Sequence, residues 1–153
     1  MMSIASKLKE LGLEIPVAAK PLAAYAPAVR VGNYVYTSGQ LPSIAGKLQY
    51  VGKVGAEVTP ETAYEAAKLC AINCLAAVNT VADVEQIERI VKVVAFVAST
   101  PGFNSQPGVA NGASELMAKI LGDAGVHARS AVGVAELPLN APVEVEMIVK
   151  LKD

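Results

Sequence analysis

The chain has 153 residues, 53% of them hydrophobic and 18% charged, with a mean hydropathy of +0.41; that suits one domain with a core and excludes a disordered chain. Lys plus Arg number 13 and Asp plus Glu 14, a net charge of −1, with no basic stripe of the kind phosphate neutralisation requires, so nucleic acid is not expected as a partner. Lys7, Lys9 and Glu10 interrupt any signal-peptide core, and the longest apolar stretch, Leu69 to Ala82, spans about 14 residues where a membrane helix needs roughly 20, so a cytoplasmic protein with no membrane partner is expected.

Ile4, Leu8 and Leu11 recur at helical spacing before Gly12 and predict a short N-terminal helix over Ser3 to Leu11. An irregular stretch with Pro16, Pro21 and Pro27 follows. Val29, Val31, Tyr34, Val35 and Tyr36 make two β-rich runs with a turn at Gly32-Asn33, ending in Thr37-Ser38-Gly39-Gln40. Gly46-Lys47 marks another turn. Thr59-Pro60-Glu61 opens a helix with a capping hydroxyl, a first-turn proline and an acid at the positive dipole end. Ala63, Ala66, Ala67, Cys70, Cys74, Ala77, Val78 and Val81 form its apolar face.

Ile90 to Ala98 predicts a buried strand, Ser99 to Gly108 a loop, and Val109 to Gly122 a second helix. Ser130 to Leu137 and Val143 to Leu151 read as strands of a hairpin turning at Pro138-Leu139-Asn140. The last alternates Val143, Val145, Met147, Val149 and Leu151 against Glu144, Glu146, Ile148 and Lys150. The class is therefore α+β, with two main helices on one face of a single sheet.

No phosphate-cradling loop, dinucleotide fingerprint or nucleophile elbow is present, and His127 is the one imidazole. Cys70 and Cys74 lack a second pair to complete a metal site and read as small core hydrophobes. Taken singly, Ser38-Gly39 is an ordinary turn, Glu144 and Glu146 are solvent-facing acids of a half-exposed strand, and Arg129 is a strand-end arginine reaching for water.

Together these residues carry a resemblance. Tyr25, Val31-Gly32-Asn33, Thr37-Ser38-Gly39-Gln40-Leu41-Pro42, Ala128-Arg129-Ser130 and Val143-Glu144-Val145-Glu146-Met147 resemble the YjgF/RidA family, also called reactive-intermediate deaminases or L-PSP endoribonucleases. The likeness runs from about Pro21 to Lys152; residues 1–20 read as an N-terminal extension and 21–153 as the family-like domain. It implies a chorismate-mutase-like fold with a single mixed sheet, a homotrimer with clefts between subunits, and cofactor-free, metal-free hydrolysis of enamines and imines to 2-keto acids and ammonia. By position it implies that Arg129 holds the substrate carboxylate and Glu144 handles water, with Tyr25, Ser38 and Gly39 lining the cleft.

Those roles suit the chemistry. A guanidinium meets a planar carboxylate with two parallel hydrogen bonds, and imine hydrolysis suits a carboxylate whose pKa is raised toward neutrality. Glu144 and Glu146, roughly 7 Å apart on one strand face, would raise the pKa of at least one in a partly desolvated cleft. In the expected hairpin Glu144 lies opposite about Val134, roughly 17 Å along the sheet from Arg129, so a site using both needs a second subunit. Where compact relatives have Cys after Arg-Ser, Ala131 stands here, leaving a backbone N–H to bind substrate and no thiol. Their second helix usually ends with aromatics, absent from Ser114 to Gly122. His127, where they often have Pro, is expected at the surface. Alternatives are a trimer that binds small carboxylates without turnover and an endoribonuclease that inhibits translation.

Overall fold

The structure, a computed structural model, describes residues 2–21 and 23–153; Met1 and Leu22, the latter in the proline-bearing stretch, lie outside the described residues. Helix α1 (Ile4–Glu10) starts where Ser3 Oγ accepts the Ser6 amide at 3.0 Å and stops before Gly12 at φ 73°. Its free Ile4 and Ala5 amides donate to the Glu85 carboxylate at 2.9 and 3.0 Å, satisfying two of the orphan donors of the first turn. Ile4 and Leu8 are buried in the common core.

Strands β1 (Ala28–Val31) and β2 (Tyr34–Thr37) pair as a hairpin around Gly32, whose φ of 58° favours a residue without Cβ. The turn at Gly46 joins two short strands, β3 (Ser43–Ile44) and β4 (Lys47–Leu48), in a separate ribbon.

Helix α2 (Pro60–Val78) begins as expected: Thr59 Oγ1 accepts the Thr62 amide at 3.1 Å, and Pro60 occupies the first turn. Its alanine face is buried, and the thiols of Cys70 and Cys74 donate to the Val143 and Val145 carbonyls at 3.6 and 3.3 Å. Burial pushes both thiols up, Cys74 to about 12, so they are packing groups. After β5 (Ile87–Ala98), helix α3 (Gln106–Leu121) starts three residues earlier than the sequence suggested. Pro107 falls in its first turn, where the amide has no helical partner to lose. A Cβ on Gly112 of α3 would collide with the Tyr64 carbonyl of α2, so the two helices meet backbone to backbone.

Strands β6 (Ala128–Val134) and β7 (Val143–Leu151) complete a five-stranded mixed sheet in the order β1-β2-β7-β5-β6. The expected β6–β7 hairpin is therefore wrong. With α3 crossing between them, β5 and β6 lie side by side and parallel, and β7 inserts antiparallel between β2 and β5. The burial patterns follow the placement. Every residue of β7 is buried or half-buried between its two neighbours, whereas β6 at the sheet edge has exposed positions.

Helices α2 and α3 cover one face of this sheet, giving the α+β architecture anticipated. Val143, Val145, Met147, Val149 and Leu151 point into that core. The opposite face carries Glu144 and Glu146 among Val29, Tyr34, Tyr36 and Val132, all four exposed apolar side chains.

Candidate functional site

The acidic half of the site is built where β2 ends. The Ser38 amide donates to the Pro27 carbonyl at 2.8 Å and its hydroxyl to the Ala26 carbonyl at 2.6 Å, fixing the chain as it leaves the strand. Gln40 and Val145 then exchange two backbone hydrogen bonds, of 2.8 and 3.0 Å, which bring Gly39 alongside Glu144. A Cβ on Gly39 would overlap the Glu144 carboxylate.

Glu144 is half-buried, and its carboxylate has no hydrogen-bond partner among the described residues. Burial, and after it the charge of Glu146, raises its pKa above the ordinary carboxylate value. That matches the expectation for this pair of acids. Tyr25 and Gly39 line an adjacent recess of about 150 Å³ together with Leu41, Leu48 and Leu139. Gly39→Ala should displace the Glu144 carboxylate while the fold survives. A crystal structure of the variant with a circular-dichroism melt would check this.

Arg129 forms the other half. On β6 it lies level with Val93, its side chain on the helix-covered face, and Nη1 donates to Asn111 Oδ1 at 2.8 Å and to Ser114 Oγ at 3.1 Å, both on α3. Both of its hydrogen bonds to described residues thus leave from Nη1. The edge formed by Nε and Nη2 remains for a planar anion, in the side-on geometry of an arginine–carboxylate pair. The side chains of Asn111, Ser114, His127 and Arg129 line an open cleft of about 370 Å³. Ala131, two residues on, packs against the core beside Ala95.

Within one chain the two halves remain apart. Arg129 lies level with Val93 and Glu144 with Phe96, on strands separated by β5. That spacing puts their Cα atoms roughly 14 Å apart, with the side chains on opposite faces. The separation foreseen from a hairpin persists although the hairpin does not.

His127 is not a free surface residue as expected: it is half-buried and both ring nitrogens are engaged. Sequence reasoning missed Asn111 and Ser114. Their signal was a pair of neutral polar residues spaced three apart, and so on one side of the helix. A cavity of about 770 Å³ between α1 and the turn carrying Asp83 and Glu85 contains none of these residues. Among the described residues no group of three His, Cys, Asp or Glu side chains could hold a metal ion, and no helix is long and apolar enough to cross a membrane.

Residues 5–151 match the family model described as "YjgF/chorismate_mutase-like, putative endoribonuclease". The chain belongs to the YjgF/RidA family. Among curated proteins of this kind, it is 39% identical to protein TCP17 of Trypanosoma cruzi, over 98% of this chain and 95% of that one. It is 33% identical to a 2-iminobutanoate/2-iminopropanoate deaminase of Dermatophagoides farinae, over 92% and 95% of the two chains. A solved structure from Agrobacterium tumefaciens, of a protein of unknown function, superposes with a TM-score of 0.91 at 48% identity, covering 97% of this chain and 92% of that one. The family match thus covers nearly the whole chain.

Proposed function

We propose that this protein hydrolyses small 2-imino acids, and the enamines that tautomerise to them, to 2-keto acids and ammonia. The reading rests on Glu144, a half-buried carboxylate with a raised pKa and no hydrogen-bond partner among the described residues, held against Gly39. The likeness to an imine deaminase supports the same class.

In this reaction the substrate carboxylate sits on the Nε/Nη2 edge of Arg129, and the substrate's apolar side chain enters the recess beside Tyr25. Glu144 takes a proton from water as its oxygen bonds to the imine carbon, forming a carbinolamine. It then returns the proton to nitrogen, the C–N bond breaks, and the hydroxyl proton leaves with ammonia as the carbonyl forms. The backbone N–H of Ala131 lies two residues from the arginine as a further donor.

Because one chain separates Arg129 from Glu144, the site is completed by a second copy. The apolar sheet face with Val29, Tyr34, Tyr36 and Val132 is the surface on which three copies pack. Subunit mixing tests this. Arg129→Ala and Glu144→Gln chains, each strongly impaired alone, should recover about one quarter of wild-type activity when refolded together, since each mixed trimer has one intact cleft. No recovery from mixed trimers would place both groups in one subunit's site and overturn the arrangement.

A further inference from the structure

The side chains behind Arg129 form a chain of hydrogen bonds whose direction is fixed. His127 Nδ1 lies 2.6 Å from the Gly125 carbonyl oxygen. A carbonyl only accepts, so Nδ1 carries the proton, and Nε2 of the neutral ring is bare. Ser114 Oγ lies 2.9 Å from Nε2 and must donate its hydrogen there. With that hydrogen committed, Oγ offers lone pairs alone to Arg129 Nη1 at 3.1 Å. Asn111 Oδ1 takes the second Nη1 hydrogen at 2.8 Å.

The far end of this chain is equally fixed. Gly125 is buried against the Met117 carbonyl of α3, where a Cβ would collide, so the carbonyl that sets the His127 tautomer is held by the helix that carries Ser114. Burial, and more weakly the Arg129 charge, outweighs the Gly125 hydrogen bond and holds the imidazole below its usual pKa. The neutral ring is therefore the working form at neutral pH.

We infer that Ser114 and His127 are positioning residues for Arg129: His127 orients the Ser114 hydroxyl, and Ser114 with Asn111 anchors Nη1 so that the Nε/Nη2 edge faces the substrate carboxylate. This rests on the reading of Arg129 as carboxylate anchor. Neither residue touches the reacting atoms, so their loss weakens capture of the carboxylate and leaves the chemical step intact.

The test is calorimetric titration with 2-ketobutyrate, a product-type keto acid, of wild type, Ser114→Ala, Ser114→Thr, His127→Phe, the Ser114→Ala/His127→Phe double variant and Arg129→Ala. Ser114→Ala and His127→Phe should each raise Kd about fivefold. The double variant should be no weaker than either single one, and Thr should restore binding to within about twofold. In imine hydrolysis the same variants should raise KM at nearly constant kcat.

Multiplicative losses in the double variant, or wild-type affinity in Ser114→Ala, would overturn the relay while leaving Arg129 as anchor. Wild-type affinity in Arg129→Ala would instead overturn the anchor reading, and the relay with it. Should His127→Phe fail to fold, ¹⁵N spectra of wild-type histidine decide: a neutral Nδ1–H ring is expected, and a neutral Nε2–H ring refutes the hydrogen-bond direction.

Discussion

Replacing Arg129 with alanine should lower kcat/KM for 2-imino acids by about 30-fold or more, since removing a desolvated charge partner costs roughly 2–5 kcal/mol. Arg129→Lys should recover little of this. An ammonium keeps the charge, but it cannot bond Asn111 and Ser114 through one nitrogen while presenting a two-pronged edge to the carboxylate. The measurement is a coupled assay in which an amino-acid oxidase supplies a panel of imino acids and keto-acid release is followed. A loss below about threefold would remove Arg129 from the site.

Glu144→Gln should reduce kcat by about 100-fold or more, with KM little altered, because the amide neither accepts the water proton nor returns one. The same substitution should stabilise the protein. Folding raises the Glu144 pKa, so the native state binds this proton more tightly than the unfolded chain. Stability then falls as pH rises from the unfolded value through the folded one, and the full cost is present at neutral pH. Glutamine removes that cost. Since the group is only half-buried, screening keeps the gain small, a rise in Tm of about 1–2 °C at pH 7 that vanishes in acid below both values. Thermal melts at both pH values alongside kinetics would check the pairing of lost activity with gained stability.

The elements were legible where local chemistry decides them. Thr59-Pro60 set the start of α2, and the strict alternation of β7 gave both its span and the face its acids occupy. Strand order was not legible. Nothing local to β6 or β7 says that β7 will insert beside β5, because that outcome depends on which strand is paired at both edges and on the crossover through α3. Likewise Pro107 looked like a loop residue although it is tolerated inside a first helical turn.

The candidate site was legible in its charged residues and not in their neutral supports. Arg129 and Glu144 stand out by type and motif. Asn111 and Ser114 matter only because α3 folds back over β6, and His127 only because Gly125 turns a carbonyl toward its ring. Such contacts link positions far apart in sequence or hidden in a tight turn, where no periodicity advertises them.

Gly112 sits between Asn111 and Ser114, pressed against the backbone of α2. Where two helices meet without side chains between them, neither can roll about its axis: any rotation drives a neighbouring Cβ into the opposing carbonyl. The azimuth of α3, and with it the aim of the two acceptors that grip the guanidinium, is therefore referenced to a helix that contributes no atom to either half of the cleft. The bearing of the arginine is set through the helix pair, some distance behind the surface on which a substrate would land.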